Sequence, residues 1–163
     1  MQVKNQLQLH NFLNLESSTI LAELAQAYGF NLFDSKSEIY LKLEQEGYDR
    51  LVLERNEPHV ISLSHYFVQN GDLMSNPDMT FLIKPTLDNT RLLIFPLSYT
   101  LSSSGIYREA AELSHDCSSI KSANLSVMNN LADIANTWIS NIKAQSWFLP
   151  NAKPNPEVTV TTD

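Results

Sequence analysis

The amino-acid sequence predicts an α+β fold, an antiparallel sheet of five or six strands with an N-terminal helix and a long C-terminal helix packed on one face. Two observations carry this prediction. Apolar residues recur at helical spacing in two separate segments, and between these segments apolar and polar residues alternate with a period of two. A helix, a meander of strands and a second helix, in this order, are typical of a two-layer α+β domain.

The first predicted helix spans residues 18–28. Its apolar residues, from Ile20 to Tyr28, repeat at helical spacing, hydroxyl residues precede them, and Gly29 follows. Hydroxyl side chains accept hydrogen bonds from free N–H groups where helices begin, and glycine often ends them. Residues 1–15 show no clear period but carry several apolar side chains, so we expect them to pack against the rest of the chain.

Strand-like segments fill the middle of the chain. Residues 60–68 carry apolar side chains on both faces, which predicts a central strand. Pro96 predicts a peripheral strand or a bulge, because proline cannot donate to a ladder. Residues 69–78, with Asn70-Gly71 and Asn76-Pro77, predict a long structured loop, and residues 106–113 suit a helix or a strand, of which we favour the strand. The predicted strands are residues 38–44, 50–55, 60–68, 79–84, 91–101 and 106–113.

The second predicted helix is the clearest element of the sequence. Apolar residues from Val127 to Ile142 repeat at alternating spacings of three and four, and Asn124 or Ser126 can cap the start. Trp147 and Phe148 close the helix. We expect residues 1–149 to form a single domain and the proline-rich residues 150–163 to form a flexible tail.

The composition predicts a folded cytoplasmic protein. Of the 163 residues, 43% are hydrophobic, and 18 acidic against 11 basic residues give a net charge of −7. No apolar run approaches the roughly 18 residues that cross a bilayer, so we expect no membrane association. Cys117 is the only cysteine, which fits a reducing compartment. The acidic balance makes nucleic-acid binding an unfavoured function.

One segment, residues 65–81, carries a dense motif: His-Tyr-Phe-Val-Gln-Asn-Gly-Asp-Leu-Met-Ser-Asn-Pro-Asp-Met-Thr-Phe. It resembles the central motif of an uncharacterised family of small proteins and domains encoded on bacterial plasmids, phages and integrative elements. Residues 48–55 add a weaker similarity. The resemblance implies a mobile-element context and supplies no catalytic residues.

The centre of this motif is our predicted binding site. Asn70-Gly71 favours a tight reversal, and the Asp72 carboxylate can bind backbone amides of its own loop. Leu73 and Met74 either fold back on the sheet, which we favour because exposed apolar pairs reduce solubility, or stand out as an apolar contact for a partner. We therefore predict a non-enzymatic interaction protein that binds a host or element protein, an inhibitor of a defence nuclease being one example.

The alternative function is a small hydrolase or a metal-dependent enzyme. His65, Asp72 and Asp78 offer an imidazole and two carboxylates near one hairpin end, and Glu54 on the neighbouring strand can join them. Their spacing matches no metal-ligand motif, so we expect no metal site. With four glycines the chain has no phosphate-binding loop, so we expect no cofactor.

Three further sets of residues are weaker candidates for a functional site. His59 and His65 could ligate a metal together if both lie on one face of a strand. Residues 115–117, His-Asp-Cys, have the residue types of a nucleophilic site, but the members of a catalytic triad are seldom adjacent in sequence. A basic strip on the sheet with tyrosines beside it would suit nucleic acid, but sheet aromatics usually pack in the core. Its members are Arg50, Arg55, Lys84, Arg91 and Arg108. The oligomeric state stays open.

Overall fold

The computed structural model describes residues 11–147 and the backbone of residues 153–154. The described residues form two α-helices and nine strands in chain order. They are α1 (Leu15–Ala27), β1 (Tyr40–Glu44), β2 (Arg50–Glu57), β3 (Val60–Gln69), β4 (Asp72–Pro85), β5 (Leu92–Leu101), β6 (Ile106–Glu109), β7 (Ala111–Leu113), β8 (Ile120–Ala123), α2 (Leu125–Ala144) and β9 (Lys153–Pro154).

The main sheet is an antiparallel meander in the order β6-β5-β4-β3-β2-β1, with the two-residue β9 beside β1. The predicted α+β fold is therefore confirmed, and β3 lies inside the sheet, as predicted. Strands β7 and β8 form a separate two-stranded sheet. The predicted flexible tail, residues 150–163, lies outside the described residues apart from the backbone of β9.

Helix α1 begins three residues earlier than predicted. The cap is Asn14, whose side chain accepts a hydrogen bond from the Ser17 amide at 2.8 Å. Ser17 and Ser18 lie inside the first turn and are buried. The segment before the helix packs as expected where it is described: Leu13 is fully buried, and its amide donates to the Ile94 carbonyl at 2.9 Å.

Helix α2 lies where the sequence predicts it, and its cap is one of the two predicted residues. The Asn124 side chain caps it by accepting from the Val127 amide, and the helix ends at Ala144. Its apolar face packs on the sheet and on α1, so that the core lies between the helices and one face of the sheet, here called the helix face. Trp147, beyond the helix end, is fully buried; Phe148 lies outside the described residues.

The predicted loop at residues 69–78 is wrong. Strand β3 continues to Gln69 and β4 begins at Asp72, so only Asn70 and Gly71 form the turn, with φ of 53° and 84°. Two residues in the left-handed region are typical of the tight turns whose twist matches that of a hairpin. Asn76-Pro77, a cis peptide bond, falls within a bulge of β4, where the ladder shifts register.

Further outcomes concern the C-terminal side of the sheet. Pro96 sits at a register shift between β4 and β5, so of the two predicted settings it marks a bulge; β5 is not the last strand, because β6 pairs with residues 98–101. Residues 106–113 are strands, as favoured, but Ala110 divides them into β6 and β7. An additional strand, β8, pairs with β7 and is not among the predicted strands.

The second face of the sheet, here called the open face, is polar over its middle. Register partners share a face, and Ser62, Thr80 and Ser98 follow one another across β3, β4 and β5. The next row is Ser64, Asp78 and Thr100. Further along the strands the same face is apolar, since the register partners Val60, Leu82 and Phe95 are buried there. Only the middle of this face is therefore polar.

Candidate functional site

The end of the β3–β4 hairpin extends past its neighbours in the sheet. The pairing of β2 with β3 stops at Tyr66, and the pairing of β5 with β4 stops at Asp78. Residues 67–74 pair only with each other within the described ladders, and they form what we call the ribbon. The predicted binding residues, Asn70 to Met74, make up the turn and one strand of the ribbon.

The ribbon presents an apolar pair to solvent. Val68 and Leu73 are register partners, so their side chains lie on one face, and they are 65% and 64% exposed. Phe67 and Met74 form the next pair, on the opposite face, and both are half-buried. The expectation that both apolar loop residues fold back is therefore wrong for Leu73, because the segment is a strand and successive side chains point to opposite faces.

A serine in the β5–β6 turn fixes the base of the ribbon. The Ser75 amide donates to Ser102 Oγ at 2.6 Å, and Ser102 Oγ donates to the Ser75 carbonyl at 3.0 Å. Ser75 is buried, and its own hydroxyl lies 3.2 Å from Ser102 Oγ. These bonds satisfy backbone groups that the bulge removes from the ladder. Sequence reasoning missed this contact because Ser102 is 27 residues away.

The three candidate catalytic residues do not meet. Ser64 and Asp78 are register partners on the open face, and His65, the residue after Ser64, points to the helix face. Asp72 pairs with Gln69 at the exposed turn. Within residues 11–147, no group of three or more His, Cys, Asp or Glu side chains is placed to hold a metal ion.

His65 lies in an aromatic cluster. Its ring centroid is 5.6 Å from that of Trp138 and 5.8 Å from that of Trp147, and Nδ1 lies 3.2 Å from the Asp49 carbonyl. The carbonyl only accepts, so Nδ1 donates. Burial lowers the pKa of His65 because the charged imidazolium loses hydration, and Asp49 opposes this shift. The sequence signals for this cluster are Trp138, in the apolar repeat of α2, and Trp147, which closes that helix.

Asp78 has the opposite electrostatic setting. Ser64 Oγ donates to its carboxylate at 3.0 Å, and the Tyr66 phenol is a second donor. Burial raises the pKa of Asp78, although both hydroxyl donors work against the increase. Asp78 therefore has a structural role on the open face, where it joins two residues of β3.

The weaker candidates also lie apart. His59 has φ of 72° in the β2–β3 turn, so it does not share a strand face with His65. Asp116 accepts from Ser114 Oγ at 2.7 Å and from Ser118 Oγ at 2.8 Å, and these bonds lower its pKa to about 2. A carboxylate with turn partners and so low a pKa is a poor base for the neighbouring Cys117.

The basic residues of the predicted strip are divided between the two faces of the sheet. Arg50 is the register partner of Tyr66 on the open face, and Arg55 is the partner of Ile61 on the helix face. Arg91 stacks over the Phe12 ring at 5.7 Å. No helix within residues 11–147 combines the length and apolar character needed to cross a membrane.

A family model described as a domain of unknown function, DUF6908, matches residues 19–148, which is most of the chain. The chain belongs to this family. The DUF6908 match begins within α1 and includes the strands from β1 to β8, α2 and the whole motif at residues 65–81. No curated protein and no solved structure matches the chain.

Proposed function

We propose that this protein is a non-enzymatic interaction protein that uses the ribbon to bind a protein partner. The proposal rests on one observation, the exposure of the Val68 and Leu73 pair at the end of a hairpin with a fixed base. Exposed apolar surface at the end of a well-ordered element favours binding to a partner, because its burial in an apolar pocket removes it from water.

The charge of the chain supports a partner with a basic surface. Two aliphatic side chains bury far less than the roughly 1,200 Å² of a stable interface, so the partner must also contact the polar surface around the ribbon. The net charge of −7 favours a partner with a positive surface around an apolar pocket, because complementary charges speed association. A nucleic-acid-binding protein of the host has such a surface.

We also propose that the protein originates from a mobile genetic element and acts on a host or element protein, with interference in host defence as one possible outcome. This rests on the resemblance of residues 65–81 to a motif of plasmid and phage proteins. The enzymatic alternative stays a prediction without an observation in its favour, since His65, Asp72 and Asp78 lie on different faces or ends of the hairpin.

Site-specific photocrosslinking in bacterial cells tests the proposal. A photoreactive amino acid at position 73 should capture one or a few defined proteins. The matched control is position 87, where Leu87 is fully exposed in the β4–β5 turn. The double variant V68D/L73D, with the photoreactive residue moved to the exposed position 69 of β3, should lose the captured protein, whereas L87D with the same photoreactive position should retain it.

Both sets of changed side chains are exposed, so melting temperatures should stay within a few degrees of the wild-type value. Identical capture from positions 73 and 87, or capture that survives V68D/L73D, would refute the ribbon as the binding element.

A further inference from the structure

We propose that the open face beside the ribbon binds an arginine side chain of the partner, with Asp78 and Glu54 as carboxylate acceptors and Tyr66 as the stacking ring. This inference rests on the proposed function, because it names the chemistry that the partner presents to the sheet. The guanidinium group suits this face because it is planar, donates in several directions and stacks on aromatic rings.

The first observation is that the open face holds carboxylates that lack a cation. Asp78 is half-buried, and the donors to it are the hydroxyls of Ser64 and Tyr66. Glu54 accepts from Asn56 Nδ2 at 3.1 Å. Neither carboxylate forms an ion pair within the described residues. Glu54 is the register partner of Ser62 and Asp78 is that of Ser64, so the two carboxylates flank neighbouring positions of β3 on the same face, and Tyr66 is the next residue on that face. Burial raises the pKa of the Tyr66 phenol, and the two carboxylates add to the increase.

Within the described residues, no basic side chain on this face is paired with Asp78 or Glu54. Arg50 is the register partner of Tyr66, but its guanidinium turns to β1, where Nε lies 3.0 Å from Glu44 Oε1. Lys42 lies on β1 opposite Val52, diagonally beside Glu54 and three strands from Asp78, and forms no ion pair with either carboxylate. A partner cation can therefore supply a charge that the sheet itself does not provide.

The second observation is Ser62, a buried residue without a side-chain partner. It is 8% exposed and is the register partner of both Glu54 and Thr80. The hydroxyls beside it are engaged, since Ser64 bonds Asp78 and Thr80 bonds Ser98. The Ser62 hydroxyl makes no hydrogen bond within residues 11–147. It lies in the row next to Ser64 and Asp78 and can accept an N–H of a bound guanidinium.

The separation between Asp78 and the apolar pair of the ribbon predicts how far apart the two contacting groups of the partner are. Asp78 is opposite Ser64, and Ser64 precedes Val68 by four residues on the same face of β3. At about 3.3 Å per residue, the two contact points are about 13 Å apart. The partner should therefore present an apolar group and an arginine at this separation.

A titration followed by amide NMR shifts tests the arginine site directly. The probe is N-acetyl-arginine amide, and the control is N-acetyl-citrulline amide, which has the same shape without the charge. With the arginine probe, we expect the amide resonances of residues 62–66 and 78–80 to shift and to saturate at millimolar probe concentrations. With the citrulline probe, we expect no such shifts. Asp78→Asn should weaken the arginine effect at least fivefold, and Glu46→Gln, an exposed carboxylate in the β1–β2 turn, should not.

Equal shifts with both probes, or no saturable shift up to 100 mM arginine probe, would overturn the arginine site. The two proposals fail separately. If crosslinking from position 73 captures a partner while the arginine probe does not bind, the ribbon stands and the arginine site falls. If the probe binds while crosslinking captures nothing specific, the ribbon falls.

Discussion

His65 and Asp78 show how strongly the face of a strand decides the chemistry of a residue. They lie at neighbouring register positions, yet His65 contacts two tryptophans on the helix face and Asp78 contacts hydroxyls on the open face. Burial favours the neutral form of each, so the pKa of His65 is lowered and the pKa of Asp78 is raised. Neither environment could be foreseen from residue type alone.

These shifts predict a pH dependence of stability. The folded state binds the His65 proton more weakly than the unfolded chain, whose histidine pKa is about 6.5. The stabilising contribution is complete above that pH and is lost as the pH falls toward the lowered folded pKa. Urea unfolding at pH 7.5 and pH 5.5 should therefore show lower stability at pH 5.5, and His65→Phe should reduce this difference.

The control for this experiment is His115→Gln, because His115 is exposed. It should leave the difference between pH 7.5 and pH 5.5 unchanged. Asp78 has the opposite pH dependence, which Asp78→Asn tests. Because its pKa is raised in the folded state, Asp78 stabilises the fold at pH below about 3.8, and this contribution is lost as the pH rises through the folded pKa. An undiminished pH difference in His65→Phe would contradict the assignment.

At the scale of elements, the ribbon depends on a contact outside its own hairpin. Ser102→Ala removes the acceptor of the Ser75 amide and the donor to the Ser75 carbonyl. We expect a loss of about 1–3 kcal/mol in the free energy of unfolding, because a buried amide loses its partner. Hydrogen exchange at residues 67–74 should accelerate by more than that of α2.

Ser103→Ala is the matched control, since Ser103 belongs to the same turn and is exposed. Its stability should stay within about 0.5 kcal/mol of the wild-type value. Equal effects of the two substitutions would mean that Ser102 does not hold the ribbon.

Periodic elements could be predicted from the sequence and the hairpin end could not. Helix α2 and the β1–β2 hairpin were predicted because their apolar spacing is regular over their whole length. Residues 72–78 contain Asn76-Pro77, a typical loop signal, and they form a strand only because the register with β3 continues past a bulge. The arginine site likewise brings together β2, β3 and β4, and a local pattern cannot encode such a juxtaposition.

At the scale of the whole molecule, Trp147 joins parts that are distant in sequence. Its ring contacts Tyr48 at 5.8 Å and His65, its carbonyl accepts from the Tyr28 hydroxyl at 2.7 Å, and its side chain is fully buried. Two residues earlier, the Gln145 carbonyl accepts from Gln45 Nε2 at 2.7 Å. The end of α2 is thereby attached to α1 and to the first hairpin.

Trp147→Ala should therefore destabilise the whole fold. We expect a loss of about 3–5 kcal/mol in the free energy of unfolding, as for other large buried side chains, measured by urea unfolding with circular dichroism. Leu87→Ala, at a fully exposed position, should change stability by less than about 0.5 kcal/mol. A loss below about 1 kcal/mol in Trp147→Ala would show that residues beyond α2 contribute little to the core.

The hydrogen bonds between Ser102 and Ser75 at the base of the ribbon also affect how strongly a partner can bind. If residues 69–78 were a free loop, each residue that becomes ordered on binding would reduce the binding free energy by about 1–2 kcal/mol of conformational entropy. In the paired strands this entropy is lost during folding, so Val68 and Leu73 are already in one arrangement when a partner binds. Preorganisation of this kind increases affinity because the backbone of the ribbon does not have to become ordered when the partner binds.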